Sequence, residues 1–138
     1  MREILFRAKR IKDGEWVYGY LSQTTIVGEA PARLALIITE ETEKVYDHYR
    51  HEIDPDTVGQ FTGVSDKNGA KIFEGDIVKQ FFDFGLEITA EAVFREGTFG
   101  LSARRGGTTE FTPFANICNC TFEVSGNIFD NPELLRKD

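Results

Sequence analysis

Ile88-Thr89-Ala90-Glu91-Ala92-Val93-Phe94-Arg95-Glu96-Gly97-Thr98-Phe99-Gly100-Leu101 is the stretch that decides the fold class. Side chains alternate between the two faces of a strand, so Ile88, Ala90, Ala92 and Phe94 fall on one side and Thr89, Glu91 and Arg95 on the other. Glu96-Gly97 makes a turn, and Thr98 to Leu101 returns. This is a β-hairpin, and the same grammar continues in both directions. Downstream, Arg105-Gly106-Gly107 turns again before Thr108 to Phe114, where Thr109, Phe111 and Pro113 alternate with Glu110 and Thr112. Asn116 to Val124 reads as one more strand. Asn131-Pro132-Glu133-Leu134-Leu135 predicts a short terminal helix, with Asn131 as its cap and Pro132 in its first turn.

Upstream, Ile77 to Phe82 is a strand ending at Asp83-Phe84-Gly85, and Lys67-Asn68-Gly69 is a turn because Asn and Gly accept positive φ cheaply. Thr57 to Phe61 can pair as a strand. Glu40 to Asp56 is the most acidic part of the chain and reads as a solvated face or irregular excursion. Leu34 to Ile38 is a continuous apolar run, as expected of a strand buried on both faces. Ser22 to Arg33, around Gly28 and Pro31, reads as a loop. At the N-terminal end Glu3 to Ala8 alternates, with Ile4, Phe6 and Ala8 expected inward and Glu3, Leu5 and Arg7 outward. Asp13-Gly14 joins that strand to Trp16-Val17-Tyr18-Gly19-Tyr20-Leu21 as an opening hairpin.

Composition agrees with a mainly β chain. The 138 residues are 41% hydrophobic and 28% charged, enough to bury a core within one domain. Phe occurs 12 times against one Met and one Trp, and Phe suits a pleated, half-buried surface. The 13 glycines fit a fold with many tight turns. A net charge of −7 argues against extended binding to duplex DNA, which draws its affinity from Lys and Arg on phosphates. No apolar run is long enough for a membrane-spanning helix, and the first residues lack the pattern of a signal peptide. Two cysteines make no disulfide framework, so a reducing cytoplasm is the expected location.

Three segments together resemble the YopX family of phage and prophage proteins. The first is Met1-Arg2-Glu3-Ile4-Leu5-Phe6-Arg7-Ala8. The second is Thr57-Val58-Gly59-Gln60-Phe61-Thr62-Gly63, followed by Asp66-Lys67-Asn68-Gly69 and Ile72-Phe73-Glu74-Gly75-Asp76-Ile77-Val78. The third runs from Val124-Ser125-Gly126-Asn127 through Ile128-Phe129-Asp130-Asn131 to Pro132-Glu133-Leu134-Leu135. The resemblance spans the chain and implies a single family domain over residues 1–138. Within it, residues 57–138 would form an SH3-like small barrel with a short C-terminal helix. The N-terminal strands and acidic segment of residues 1–56 would pack on that barrel. The resemblance implies no catalytic residue. The motif also reads as architecture from its residues alone. Gly63, Gly69, Gly75 and Gly126 suit sharp corners or close backbone approach. Glu74-Gly75-Asp76 places carboxylates where turn N–H groups need acceptors, and Gln60 and Asn127 are amides suited to loop backbone.

Four constellations bear on function. Glu74 and Asp76 share a side of an extended segment, but carboxylate pairs are common at turns and no partner for acid–base or metal chemistry accompanies them. Cys118, Cys120, His48 and His51 would need to converge to hold zinc, and their spacing is unlike that of zinc motifs, so no metal and no cofactor is expected. A basic patch of Arg2, Arg7, Lys9, Arg10 and Lys12, with Arg104-Arg105 as a second, would serve nucleic acid if exposed aromatics such as Phe81, Phe82 or Phe84 lay beside it. Trp16, Tyr18 and Tyr20 form a stripe that serves cross-strand packing or an interface. The reading is a non-enzymatic accessory protein that binds phage or host protein and self-associates through the stripe. A nucleic-acid-binding module is the alternative.

Overall fold

The computed structural model describes residues 2–26, 32–39 and 50–136, and among these the chain is almost entirely antiparallel strand, with no helix longer than a single 3₁₀ turn. Two compact units divide it, residues 1–60 and 61–138.

In the first unit β1 (Phe6–Lys9) pairs with β2 (Trp16–Ile26), Phe6 opposite Gly19 and Lys9 opposite Trp16. The expected turn joins them: Gly14 has φ 73°, and the Asp13 carboxylate accepts the Glu15 N–H at 3.1 Å. β3 (Ala32–Ile38) pairs along β2 from Tyr20 to Ile26, and the three-residue β4 (Arg50–Glu52) closes that edge. On the other side β5 (Gly59–Ser65) sets Gln60 opposite Phe6. The main core cluster is Ala8, Ile37 and Ile53, buried against Phe6, Val17, Leu21, Ala35 and Val58. Adjacent Leu36 and Ile37 are both buried, as the apolar run predicts for a strand covered on both faces. Ser22 to Arg33 is not simply a loop. Strand β2 continues to Ile26 and β3 begins at Ala32, because cross-strand pairing overrides the polar, small composition. Gly28, Pro31 and most of the acidic stretch lie outside the described residues.

In the second unit the rest of β5 pairs with β6 (Lys71–Phe73), Phe61 opposite Phe73 and Ser65 opposite Lys71. A meander follows: β7 (Asp76–Phe82), β8 (Glu87–Arg95), β9 (Thr98–Arg105) and β10 (Thr108–Pro113). The Glu96-Gly97 turn of the deciding hairpin has φ 52° and 80°, both positive as a two-residue hairpin loop requires. The fifth strand, β11 (Cys120–Asn127), begins later than sequence suggests, because Phe114–Asn116 makes a 3₁₀ turn first. It pairs with β7, giving the order β10-β9-β8-β7-β11. Ala90 and Ala92 face the core with Ile72, Val78 and Leu101, while Phe94 at the end of the same face is 53% exposed.

The expected SH3-like barrel is not closed. β10 and β11 are the two edges of an open sheet. Pro113 ends β10 without an N–H to donate, and the outer edge of β11 is taken by a turn instead. There the Lys67 N–H donates to the Phe122 carbonyl at 2.9 Å, and Asp66 Oδ2 accepts the Val124 N–H at 3.0 Å. Asp66 Oδ1 also accepts the N–H groups of Asn68 at 2.8 Å and Ala70 at 2.9 Å. Burial alone would push the Asp66 carboxyl up. The N–H groups of Val124, Ala70 and Asn68, with the charge of Lys67, outweigh it and hold the group below its ordinary range. A second aspartate works the neighbouring corner. Asp76 is 2% exposed, and its Oδ2 accepts the Phe73 N–H at 2.7 Å. Between them Gly75, at φ 88°, donates to Ala92 O and accepts from Ile128 N–H, both at 2.9 Å. The terminal helix is a 3₁₀ turn, Pro132–Leu135, and Asn131 does not cap it. Its Oδ1 accepts the Asn127 N–H at 3.2 Å instead.

Two expectations follow. Replacing Asp66 with Asn puts an NH₂ group against backbone donors and removes the charge, which should cost about 1–3 kcal/mol in urea unfolding. The wild-type contribution is fully present above the unfolded-state pKa of about 3.9 and is lost as pH falls through the lower folded-state value. The stability gap between wild type and Asp66→Asn should therefore narrow in acid, and parallel curves would contradict the assignment. Asp76→Ala leaves the Phe73 N–H buried without its acceptor, again at about 1–3 kcal/mol. Gly75→Val should be at least as harmful, since a β-branched residue resists positive φ. Thermal melts check both.

Candidate functional site

In the first unit, the face opposite the core carries the residues singled out from sequence. Cross-strand register sets Arg7 opposite Tyr18 and Lys9 opposite Trp16. The Arg7 guanidinium lies 4.7 Å from the Trp16 ring centre and the Lys9 ammonium 5.5 Å, so the aromatic stripe and part of the basic patch are one cation–π layer. Arg7 is only 6% exposed. Arg10 is engaged elsewhere, donating to both Asp13 carboxylate oxygens at 2.9 and 2.5 Å. That hydrogen bond, with the Glu15 N–H, draws Asp13 down to about 2. Tyr18 and Tyr20 are 48% and 51% exposed. They line a groove of about 490 Å³ with Arg2, Glu3, Ile4 and Leu5. Ile4, expected inward, is 50% exposed, because β1 begins only at Phe6 and the preceding residues leave the core face.

In the second unit the motif carboxylates are placed as turn groups, with Asp76 buried and Glu74 half-buried. Cys118 is exposed and Cys120 half-buried. Burial, the neighbouring Cys118 and Asp83 all push the Cys120 thiol up, against a hydrogen bond from Gln80, so it is a poor nucleophile at neutral pH. His51 sits on β4 in the first unit with its Nδ1 3.2 Å from Arg10, and His48 lies outside the described residues. Among the described residues no three His, Cys, Asp or Glu side chains cluster as metal ligands would. The three phenylalanines differ. Phe84 is 78% exposed and stacks on Phe82 at 5.7 Å, whereas Phe81 carries Lys67 at 4.5 Å over its ring. Arg105 lies 3.8 Å from Glu110.

One feature of the second unit escaped the sequence reading. Gln80 is 7% exposed and lines a cavity of about 230 Å³ on the core side of the sheet. The signal was available, since period two places Gln80 on the same face as the core residue Val78. No helix among the described residues is long and apolar enough to cross a membrane.

No curated protein matches this chain. Among solved structures it is similar to the crystal structure of protein EF1440 from Enterococcus faecalis. The two share 26% identity at a TM-score of 0.51, over 98% of this chain and 99% of that one. The family model described as YopX protein matches residues 5–136. With nearly its whole length matched, the chain belongs to the YopX family.

Proposed function

We propose that this protein is a non-enzymatic binding module that self-associates through the outer face of its first unit, as an accessory protein of a phage or prophage in the cytoplasm. The observation that carries the reading is the groove walled by Tyr18, Tyr20 and Ile4, three large side chains each about half exposed. Exposed apolar groups gathered at one place, with Arg beside them, have the composition of an interface core. Arg2 and Glu3 also line the groove.

Nucleic acid is the weaker reading. Arg7 is buried and stacked on Trp16, and Arg10 is held by Asp13, so these two arginines are poorly placed to meet phosphates. The net charge of −7 opposes a polyanion as well.

Light scattering at tens of micromolar should give the mass of an oligomer for wild type. A Tyr18→Ser/Tyr20→Ser variant should fall to the monomer mass with an unchanged circular dichroism spectrum. Trp16 is left in place because it covers Arg7. A monomeric wild type overturns the proposal, and an oligomer indifferent to both changes moves the interface away from this face.

A further inference from the structure

We propose that the free edge of β10 takes up an extended acidic segment of a partner protein as an added antiparallel strand. β10 ends the five-stranded sheet, and among the described residues no strand pairs with its far side. Gly106 and Gly107, at φ 55° and 87°, form a two-residue hairpin loop between Arg105 and Thr108. Such a loop makes its flanking residues a doubly hydrogen-bonded pair, and the pattern then alternates along the strand. Thr108, Glu110 and Thr112 therefore give their backbone groups to β9, in agreement with Thr112 O lying against Gly100. Thr109 and Phe111 turn theirs outward, where no backbone partner among the described residues meets them. The opposite edge of the sheet is covered by the Asp66-Lys67 turn. β10 has no such cover and no Lys to deter pairing, and only Pro113 limits how far an added strand extends.

Charge and register set the partner's chemistry. Thr109 and Phe111 lie opposite Arg104 and Ser102 of β9, on the sheet face away from the core. A hollow of about 300 Å³ opens on that face, with Arg95, Arg104, Glu91, Ser102 and Thr109 in its lining. Two cations stand there against one carboxylate, and Arg104 makes no ion pair among the described residues. Ser102 is 9% exposed, and its hydroxyl adds a donor without a hydrogen bond among those residues. On the core side Arg105 and Glu110, 3.8 Å apart, offset one another and add no preference. A carboxylate opposite Thr109 meets Arg104 across a short side chain, and a β-branched residue opposite Phe111 makes a favourable cross-strand pair. In an antiparallel strand these two positions are two residues apart, the β-branched one first. A second copy of β10 does not fit. Pairing Phe111 with Thr109 sets Glu110 opposite Glu110, and pairing Phe111 with Phe111 sets Thr109 opposite Pro113, which has neither N–H nor charge. The surface is thus independent of self-association through the first unit.

The test is an NMR titration of the full chain with the blocked peptide Ac-Thr-Thr-Val-Thr-Glu-Thr-NH₂. Its controls are the same peptide with Lys in place of Glu, and the same peptide N-methylated at Val and Glu. The first peptide should shift the Thr109 and Phe111 amides saturably and slow their exchange with solvent. Cross-relaxation should appear between the α-protons of Glu110 and of the Thr between Val and Glu, which stand opposite in the proposed register. The Lys peptide should bind about fivefold more weakly, the upper scale of one exposed ion pair, and Arg104→Gln should remove most of that difference. N-methylation should abolish binding, and Thr109→Pro, which removes only an outward N–H, should weaken it. The proposal is overturned if no peptide shifts these amides at millimolar concentration, or if the N-methylated or Lys peptide binds as well as the first. It is also overturned if the two amides shift with protein concentration alone, which would make a second copy the occupant. Should Thr109→Pro fail to fold, the N-methylated peptide decides.

Discussion

One carboxylate organises the second unit. Asp66 is nearly buried and accepts three backbone N–H groups, two from its own turn and one from a strand far along the chain. The long-range bond matters most. β11 is an edge strand, and an open edge invites pairing with another chain. The Asp66-Lys67 turn occupies that edge with one donor and one acceptor, so β11 ends the sheet without exposing its ladder there. Lys67 reinforces the join through Glu123 at 2.9 Å. The turn therefore substitutes for the strand that would have closed a barrel, which is why the sheet stays open at β10 and β11.

This arrangement shows what the motif residues do for the architecture. Asp66, Gly69, Gly75, Asp76 and Asn127 each hydrogen-bond to backbone: Asn127 Oδ1 accepts from Phe129 and Asp130 at 3.0 and 2.9 Å, while its Nδ2 donates to the Asp130 carboxylate at 3.1 Å. A carboxylate saturated by backbone donors has little capacity left for a metal or a substrate proton. The tyrosine groove of the first unit and the Gln80 cavity of the second are lined by other residues. Both use neutral or aromatic chemistry, in keeping with an acidic chain whose arginines are partly consumed in stacking and ion pairs.

The sequence made local pairing legible and left non-local placement obscure. Alternation gave the Ile88 to Leu101 hairpin with its turn, and positive φ at Gly63, Gly69 and Gly75 matches the corners read from composition. The Trp16, Tyr18 and Tyr20 stripe was legible for the same reason, since period two is a local property. The extension of β2 to Ile26 was not, because its stability comes from a partner strand rather than from its own residues. Nor was the burial of Arg7, which depends on the register that brings Trp16 beside it, or the exposure of Ile4, which depends on where pairing begins. Asn131 reads locally as a helix cap, yet an Asn127 N–H competes for its side chain and wins. For Gln80 the face was legible from period two, whereas its place in a cavity with β8, β9, β10 and Asn116 to Cys118 was not.

Native-state hydrogen exchange at the Asn68, Ala70 and Val124 amides tests the role of Asp66 most directly. If one carboxylate locks the turn to β11, the three amides should exchange together, protected to the level of the β7–β8 core and opening only with the unit as a whole. Exchange of Asn68 and Ala70 at the rate of an exposed loop, with Val124 protected independently, would contradict the account.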